Sequence, residues 1–268
     1  MQAAHLGTPI ASGRTAEVYA WGDGAVLKLF FPSVSPADVE LERHHASVAG
    51  ECGVDTPAVY ETVRKGNRLG LVYERVDGPT LLEKVQMEPE AMEQWGRLLA
   101  ESHLSLHRAH VPARLPDQKQ RLARKVDACR FLSREERAAV LEVLASLPAG
   151  RSLCHGDFHP GNIIIAHERP SIIDWVDATV GNPIADVARP SVVLLGHIES
   201  GSIDENEKIG VTLLHRTYLH HYMATVPDRW HEYEQWLIVA AVARLAEGIA
   251  AEQPWLLRTV RSGLARRQ

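Results

Sequence analysis

Leu153–Ile165 reads LCHGDFHPGNIII, a run in which two histidines, an aspartate and an asparagine stand among helix breakers and end in a hydrophobic strand. His155 and His159 are four apart and would share a helix face, but Gly156, Pro160 and Gly161 forbid a helix there. The segment also lacks the glutamate of an H-E-x-x-H zinc motif, and no G-x-S-x-G nucleophile elbow occurs in the chain. What remains is a loop that presents Asp157 and, five residues on, Asn162. A turn at Glu168-Arg169-Pro170 then leads into SIIDW, which puts Asp174 at the end of a second hydrophobic strand. Two carboxylates and an amide converging from a hairpin suit Mg²⁺, a hard cation that takes a few oxygen ligands together with phosphate oxygens. The chemistry this implies is phosphoryl transfer.

Upstream, Ala16–Trp21 and Ala25–Phe30 are β-prone runs joined through Asp23-Gly24, a dipeptide suited to a tight hairpin. Ala58–Arg64 and Leu69–Val76 repeat the pattern around a turn at Lys65–Arg68. Between the hairpins, Ser35-Pro36 opens a helical segment to about Ala49. After VDGPTL the apolar spacing becomes helical, over Met92–His107, Glu135–Leu147, Asn206–Ala224 and Tyr233–Ala251, with strand-like material only at Ile163–Ile165 and Ser171–Ile173. The reading is an α+β protein. Residues 1–75 form a small, mainly antiparallel β lobe with one helix, and residues 76–268 a larger, mainly helical lobe carrying one short hairpin.

The order H-G-D-F-H-P-G-N and then I-I-D-W resembles the aminoglycoside phosphotransferase and choline kinase family of small-molecule kinases. The resemblance implies a bilobal, protein-kinase-like fold with residues 1–75 as the nucleotide-binding lobe and 76–268 as the catalytic and substrate-binding lobe, ATP or GTP as co-substrate, Mg²⁺ held by Asn162 and Asp174, and Asp157 accepting or orienting a substrate hydroxyl. It implies a phosphate-contacting lysine on the strand after the first hairpin, where AVLKLF offers Lys28, and a carboxylate partner on the next helix. Glu42 borders the apolar side of that helix and Glu40 points nearly opposite, so Glu42 is the candidate. Ser12, Gly13, Arg14 and Thr15 would cover phosphates, and main-chain groups of Glu74 and Val76 would meet the adenine edge with Tyr73 behind. His155 and Asp186 would organise the catalytic loop; His159 receives no role.

Two departures bear on function. Only Gly13 stands where a G-x-G-x-x-G loop would be expected, and Gly156 replaces the arginine that in protein kinases pairs with a phosphorylated activation loop. The second, with the short segment between Asp174 and Asp186, disfavours protein substrates. A nucleotide-binding scaffold or sensor without turnover is the rival reading, and the imperfect glycine loop is its support.

Composition bounds the rest. The chain has 268 residues, 45% hydrophobic and 24% charged, with formal net charge -5, which argues against a nucleic-acid footprint. Cys52, Cys129 and Cys154 have no C-x-x-C spacing, and no apolar run reaches membrane length, so a cytoplasmic protein with reduced thiols and no membrane partner is expected. Glu199, Asp204, Glu205 and Glu207 could attract an amine-bearing acceptor, although the same acids would also begin a helix favourably. Oligomeric state is not legible.

Overall fold

The computed structural model describes residues 6–109, 111 and 114–267. Its first strands are β1 (Ala11–Ser12), β2 (Ala16–Ala20) and β3 (Ala25–Phe30), followed by helix α1 (Pro36–Glu51) and strands β4 (Val59–Lys65) and β5 (Arg68–Glu74). They make one antiparallel sheet in the order β1-β2-β3-β5-β4. The two-residue side-chain period of β3 decides what comes next. Leu27 and Leu29 pack with Tyr19 and Val72 on one face, while Phe30 packs on the other with Ala16, Leu71 and Val39 of α1. Lys28 therefore shares the α1 face.

Helix α1 starts where Ser35 accepts the Asp38 N–H and Pro36 occupies the first turn, a cap worth about 1 kcal/mol. Its buried stripe is Val39, Glu42, His45, Ala46, Val48 and Ala49. One carboxylate thus lies among mostly apolar residues, with His45 the other polar side chain of the stripe, and requires a cation.

The chain continues through α2 (Leu81–Met87), α3 (Met92–Arg108), α4 (Gln118–Ala128), α5 (Arg134–Ser146) and strand β6 (Ser152–Cys154). After the 155–162 loop, β7 (Ile163–Ala166) and β8 (Arg169–Ile172) form a hairpin, followed by β9 (Thr179–Gly181), which pairs with β6. Helices α6 (Pro183–Glu199), α7 (Glu205–Met223), α8 (Trp230–Leu245) and α9 (Gln253–Ala265) complete it.

Among the described residues, those up to 79 group with 163–177 as one compact unit, and those of 80–162 group with those from 178 onward as the other. The hairpin thus groups with the sheet, whereas the sequence division after residue 75 put it with the helices. Its backbone explains this: Ile165 N–H donates to Pro79 O (2.8 Å) and Ile172 N–H to Asp55 O (2.8 Å). Gly78 permits the close approach, since a Cβ there would lie 2.2 Å from the Ile165 carbonyl oxygen. The hairpin turn is His167-Glu168, both at positive φ (47° and 64°), one residue before the turn read from sequence. Such a two-residue turn matches the twist of the strands it joins.

The helices from Met92, Arg134 and Glu205 match their sequence-read spans to within about two residues. The expected helix to Ala251 stops at Leu245, because Gly248 takes φ +75° and turns the chain. Helices α2, α4, α6 and α9 had no counterpart in the sequence reading. Among the described residues no helix is long and apolar enough to cross a membrane.

Candidate active site

The sheet unit gathers Lys28, Glu42 and Asp174 from three separate stretches. Lys28 Nζ lies 2.5 Å from Glu42 Oε1 and 3.0 Å from Asp174 Oδ1. Tyr73, one strand over on β5, donates its hydroxyl to the same Glu42 oxygen (3.0 Å). The Lys28 side chain is 16% exposed and that of Glu42 3%. Burial by itself would lower the lysine pKa, but the two facing carboxylates outweigh it and raise the pKa, so Lys28 stays cationic. Burial pushes the Glu42 carboxyl up while Lys28 pulls it back.

Asp174 takes φ +69° two residues beyond β8. A non-glycine residue in the left-handed region is uncommon, Asp tolerates it better than most, and such conformations gather at functional sites. The following Trp175 anchors the bend, with Nε1 donating to Thr56 Oγ1 (2.9 Å) and to Ile172 O (3.2 Å).

Asp157, Asn162, His155 and Asp186 lie in the helical unit. Asp186 sits in the first turn of α6, where the helix dipole favours an anion. It accepts the backbone N–H of His155 (2.7 Å, Oδ2) and of Gly156 (2.8 Å, Oδ1). His155 is fully buried, and its Nδ1 accepts the Asp157 N–H (3.2 Å), bracing the same turn. Gly156 is needed there, because its φ of +79° is one that side chains other than Gly rarely adopt. Asn162 donates its amide nitrogen to the Asp157 carbonyl (2.9 Å), which makes its amide oxygen the atom to offer a hard cation.

Sequence reasoning missed what stands behind this loop. His103 and His107 of α3 each place Nε2 on Asp186 Oδ2 (3.1 and 3.2 Å), and their Nδ1 atoms meet the Tyr218 and Tyr222 hydroxyls of α7 (2.8 and 2.6 Å). Two i,i+4 pairs on packed helices thus face one another. The carboxylate only accepts, so each Nε2 donates to it and each tyrosine hydroxyl donates to Nδ1. These three ligand atoms lie within 4.8 Å of one another, a metal-like spacing, yet each is already engaged in a hydrogen-bonded set. His103 also stacks on Phe158 at 3.9 Å between ring centroids, next to Asp157. The i,i+4 histidines within a helical pattern were the available signal.

Burial, with the neighbouring His107, takes the His103 midpoint from 6.5 to about 3. Burial would raise the Asp186 pKa, but hydrogen bonds from the two histidines hold it well below 3.8. Between about pH 6.5 and 3 the unfolded chain binds a proton at residue 103 that the folded chain does not, so stability falls as pH drops through that window. Asp186 adds its own loss from about pH 4 downward. His103→Gln keeps a donor to Asp186 and is expected to flatten the upper part of the Tm-against-pH curve. A wild-type Tm constant from pH 7 to 4 would contradict this.

Arg189, one turn after Asp186, was also missed. Its Nε and Nη2 both reach Asp157 Oδ1 (3.0 and 2.7 Å). Burial would raise the Asp157 pKa, but Arg189, aided by His159, brings it down to about 2. His159 Nε2 lies 3.8 Å from the other oxygen, Oδ2, and its Nδ1 accepts the Gly161 N–H (3.1 Å).

The remaining sequence-read positions are less specialised. Ser12 to Thr15 are exposed and form the β1–β2 turn, with the Gly13 N–H committed to the Ala16 carbonyl (2.9 Å). The Glu74 N–H is taken by Ala58 O (2.8 Å). Val76 follows in the stretch between β5 and α2. Asp204 caps α7 by accepting the Glu207 N–H (2.9 Å), Glu205 and Glu207 occupy its first turn, and Glu199 pairs with Arg258 (3.2 Å). Capping and surface pairing account for those acids.

A family model described as phosphotransferase enzyme family matches residues 7–208. The chain belongs to that family. Among solved structures, this phosphotransferase is similar to a thermostable mutant of aminoglycoside phosphotransferase APH(4)-Ia (15% identity, TM-score 0.65, 97% of this chain and 94% of that one). It is also similar to a choline/ethanolamine kinase family protein from Mesorhizobium loti (17%, TM-score 0.62, 98% and 88%). A third is the amicoumacin kinase hAmiN in complex with AMP-PNP, Ca²⁺ and Ami (15%, TM-score 0.63, 99% and 89%). Identities this low carry the fold: a kinase-like α+β architecture with an antiparallel-sheet N-terminal region and a helical C-terminal region. No curated protein matches the phosphotransferase.

Proposed function

We propose that this phosphotransferase is a kinase that moves the γ-phosphoryl group of ATP or GTP to a hydroxyl of a small acceptor, with amine-bearing alcohols among the candidates. The observation that carries the reading is the Lys28–Glu42–Asp174 constellation, a buried lysine kept cationic by two carboxylates from distant parts of the chain. A lone strand lysine would be ordinary; one fixed between a helix glutamate and the aspartate after a hairpin is what nucleotide phosphates require. That hAmiN was solved with AMP-PNP and Ca²⁺ supports a nucleotide and a divalent cation in a protein of this fold.

Mg²⁺ takes hard oxygen ligands, and two residues would offer them by their chemistry: Asp174 of the sheet unit through its carboxylate, 36% exposed, and Asn162 of the helical unit through its amide oxygen. The chemistry such an ion would supply there is positive charge against the negative charge that develops on transfer. Lys28 would hold phosphate oxygens, its ammonium oriented by Glu42. Asp157 would accept a hydrogen bond from the acceptor hydroxyl and aim it for in-line attack. Positioning and charge neutralisation supply most of the acceleration, since phosphoryl transfer asks little covalent chemistry of the protein.

The test is release of nucleoside diphosphate from Mg-ATP and Mg-GTP across aminoglycosides, amino alcohols, amino acids, sugars and nucleosides. Release stimulated by one acceptor class and lost in Asp157→Asn is the expected result. Nucleotide binding with no stimulated release by any class would favour the scaffold reading, to which the engaged Gly13 turn lends support. Failure to bind nucleotide at all would sink both.

A further inference from the structure

We propose that Arg189 is a positioning residue for Asp157, and that Glu247, in the C-terminal segment beyond the family-matched residues, holds Arg189 in place. The inference rests on the kinase reading of Asp157 and extends the working parts to a region that reading does not use.

The contacts form an unbroken series within the helical unit. Arg189 gives Nε and Nη2 to Asp157 Oδ1 and Nη1 to Glu247 Oε1 (2.8 Å). Glu247 Oε2 takes Arg244 Nη1 (2.9 Å), and Arg244 closes a bidentate pair on Glu252 with two 2.7 Å bonds. Charge alternates along the five residues. The three middle side chains are 9%, 14% and 13% exposed, and that of Glu252 6%. Buried ion pairs of this kind seldom stabilise a fold more than apolar packing would, so a series running from Arg189 of α6 to Arg244 of α8 and the residues after it calls for a reason other than stability.

Geometry supplies the reason. Two guanidinium nitrogens on a single oxygen fix the carboxylate plane, since turning it would break both bonds. Oδ1 is thereby occupied, and Oδ2, toward His159, is the oxygen offered to an acceptor hydroxyl. The charged and titratable groups facing Asp157 are Arg189 from α6 and His155 and His159 from its own loop. The arginine in turn must be held. Glu247 stands just past the C-terminus of α8, where the helix dipole disfavours an anion, and the left-handed Gly248 directly after it turns the chain. Two arginines on its two oxygens offset that unfavourable location.

The experiment labels aspartate carboxyl carbons with ¹³C in the full chain and identifies the Asp157 signal by its loss in Asp157→Asn. Arg189→Lys keeps the charge without the fork, and Glu247→Gln keeps the shape without the charge that holds the arginine. At a fixed pH of about 7 the Asp157 signal is expected to move in both variants, because the carboxylate leaves the setting that two guanidinium nitrogens give it. Turnover per folded molecule in both, measured with the acceptor found in the panel, is expected to drop by about ten-fold or more with nucleotide KM unchanged, a split that simple packing would not produce. An unmoved Asp157 signal, or wild-type turnover per folded molecule, in both variants overturns the brace. Undiminished turnover in Asp157→Asn would overturn the kinase reading of Asp157 instead, while the carboxyl signal would still report on the brace.

Discussion

Asp157→Asn is expected to reduce phosphoryl transfer by about 10² to 10⁴-fold, the range spanned by a positioned acid or base, while Mg-nucleotide affinity stays within about two-fold of wild type. The size of the loss depends on what kind of group Asp157 is. Its midpoint of about 2 makes it a weak proton acceptor, ionised throughout the physiological range. A general base matched to its task would titrate nearer neutrality. On the proposed kinase reading its main contribution would therefore be to fix the hydroxyl by a charge-assisted hydrogen bond and to take the proton late, when a loose transition state has already weakened the bond to the leaving group. A folded-state pKa depressed in this way leaves the carboxylate charged down to about pH 2, so Asp157 should produce no acid limb in kcat between pH 5 and 8. The asparagine still fills the space but offers a neutral amide in place of an anion. A loss of less than ten-fold would mean that Asp157 does not meet the acceptor; a comparable loss of nucleotide affinity would mean that it acts on the phosphates.

What the sequence made legible followed from short-range rules. The two-residue period of AVLKLF set Lys28 opposite Leu27 and Leu29, and the helical wheel of α1 separated Glu42 from Glu40. The loop motif and its hairpin could be read because breakers, polar residues and a hydrophobic strand occur in a fixed order. Helix α6 was hidden by Pro183 and Pro190: the first is a normal helix start, and the second removes the bond to the Asp186 carbonyl that an interior residue would make. The supports of the loop were hidden for a different reason. His103 reaches Asp186 and Arg189 reaches Asp157, with Tyr218 and Glu247 behind them, only after several helices have packed, and no local pattern marks a buried arginine as the partner of one particular carboxylate. The acidic segment near Glu205 shows the reverse case, in which a suggestive charge cluster resolves into an ordinary helix start.

Asp186→Ala is expected to carry the largest stability cost of any single change considered, about 3–5 kcal/mol, the range for removing one partner from a buried charged network. Four donors converge on this carboxylate: the N–H groups of His155 and Gly156 and the Nε2–H groups of His103 and His107. Alanine leaves all four without an acceptor, in a place where the side chains of His103 and Asp186 are 0% and 1% exposed and water has little access. Not all of that penalty need be realised, because the histidines could turn and a water could enter the space vacated. Both escapes would still loosen the loop, since the His155 and Gly156 amides are held from the two oxygens of Asp186. Calorimetry at pH 7 should show Tm lower by on the order of 10 °C, and transfer per folded molecule should fall as well, because the turn that presents Asp157 is held from Asp186. Asp186→Asn separates the two effects: one amide oxygen can still take a loop N–H, while the amide nitrogen opposes a second donor. It should keep part of the stability and lose most of the transfer. A variant that lost stability yet turned over normally at low temperature would show that Asp186 only packs the helices; one that lost neither would mean that the loop is held by His155 alone.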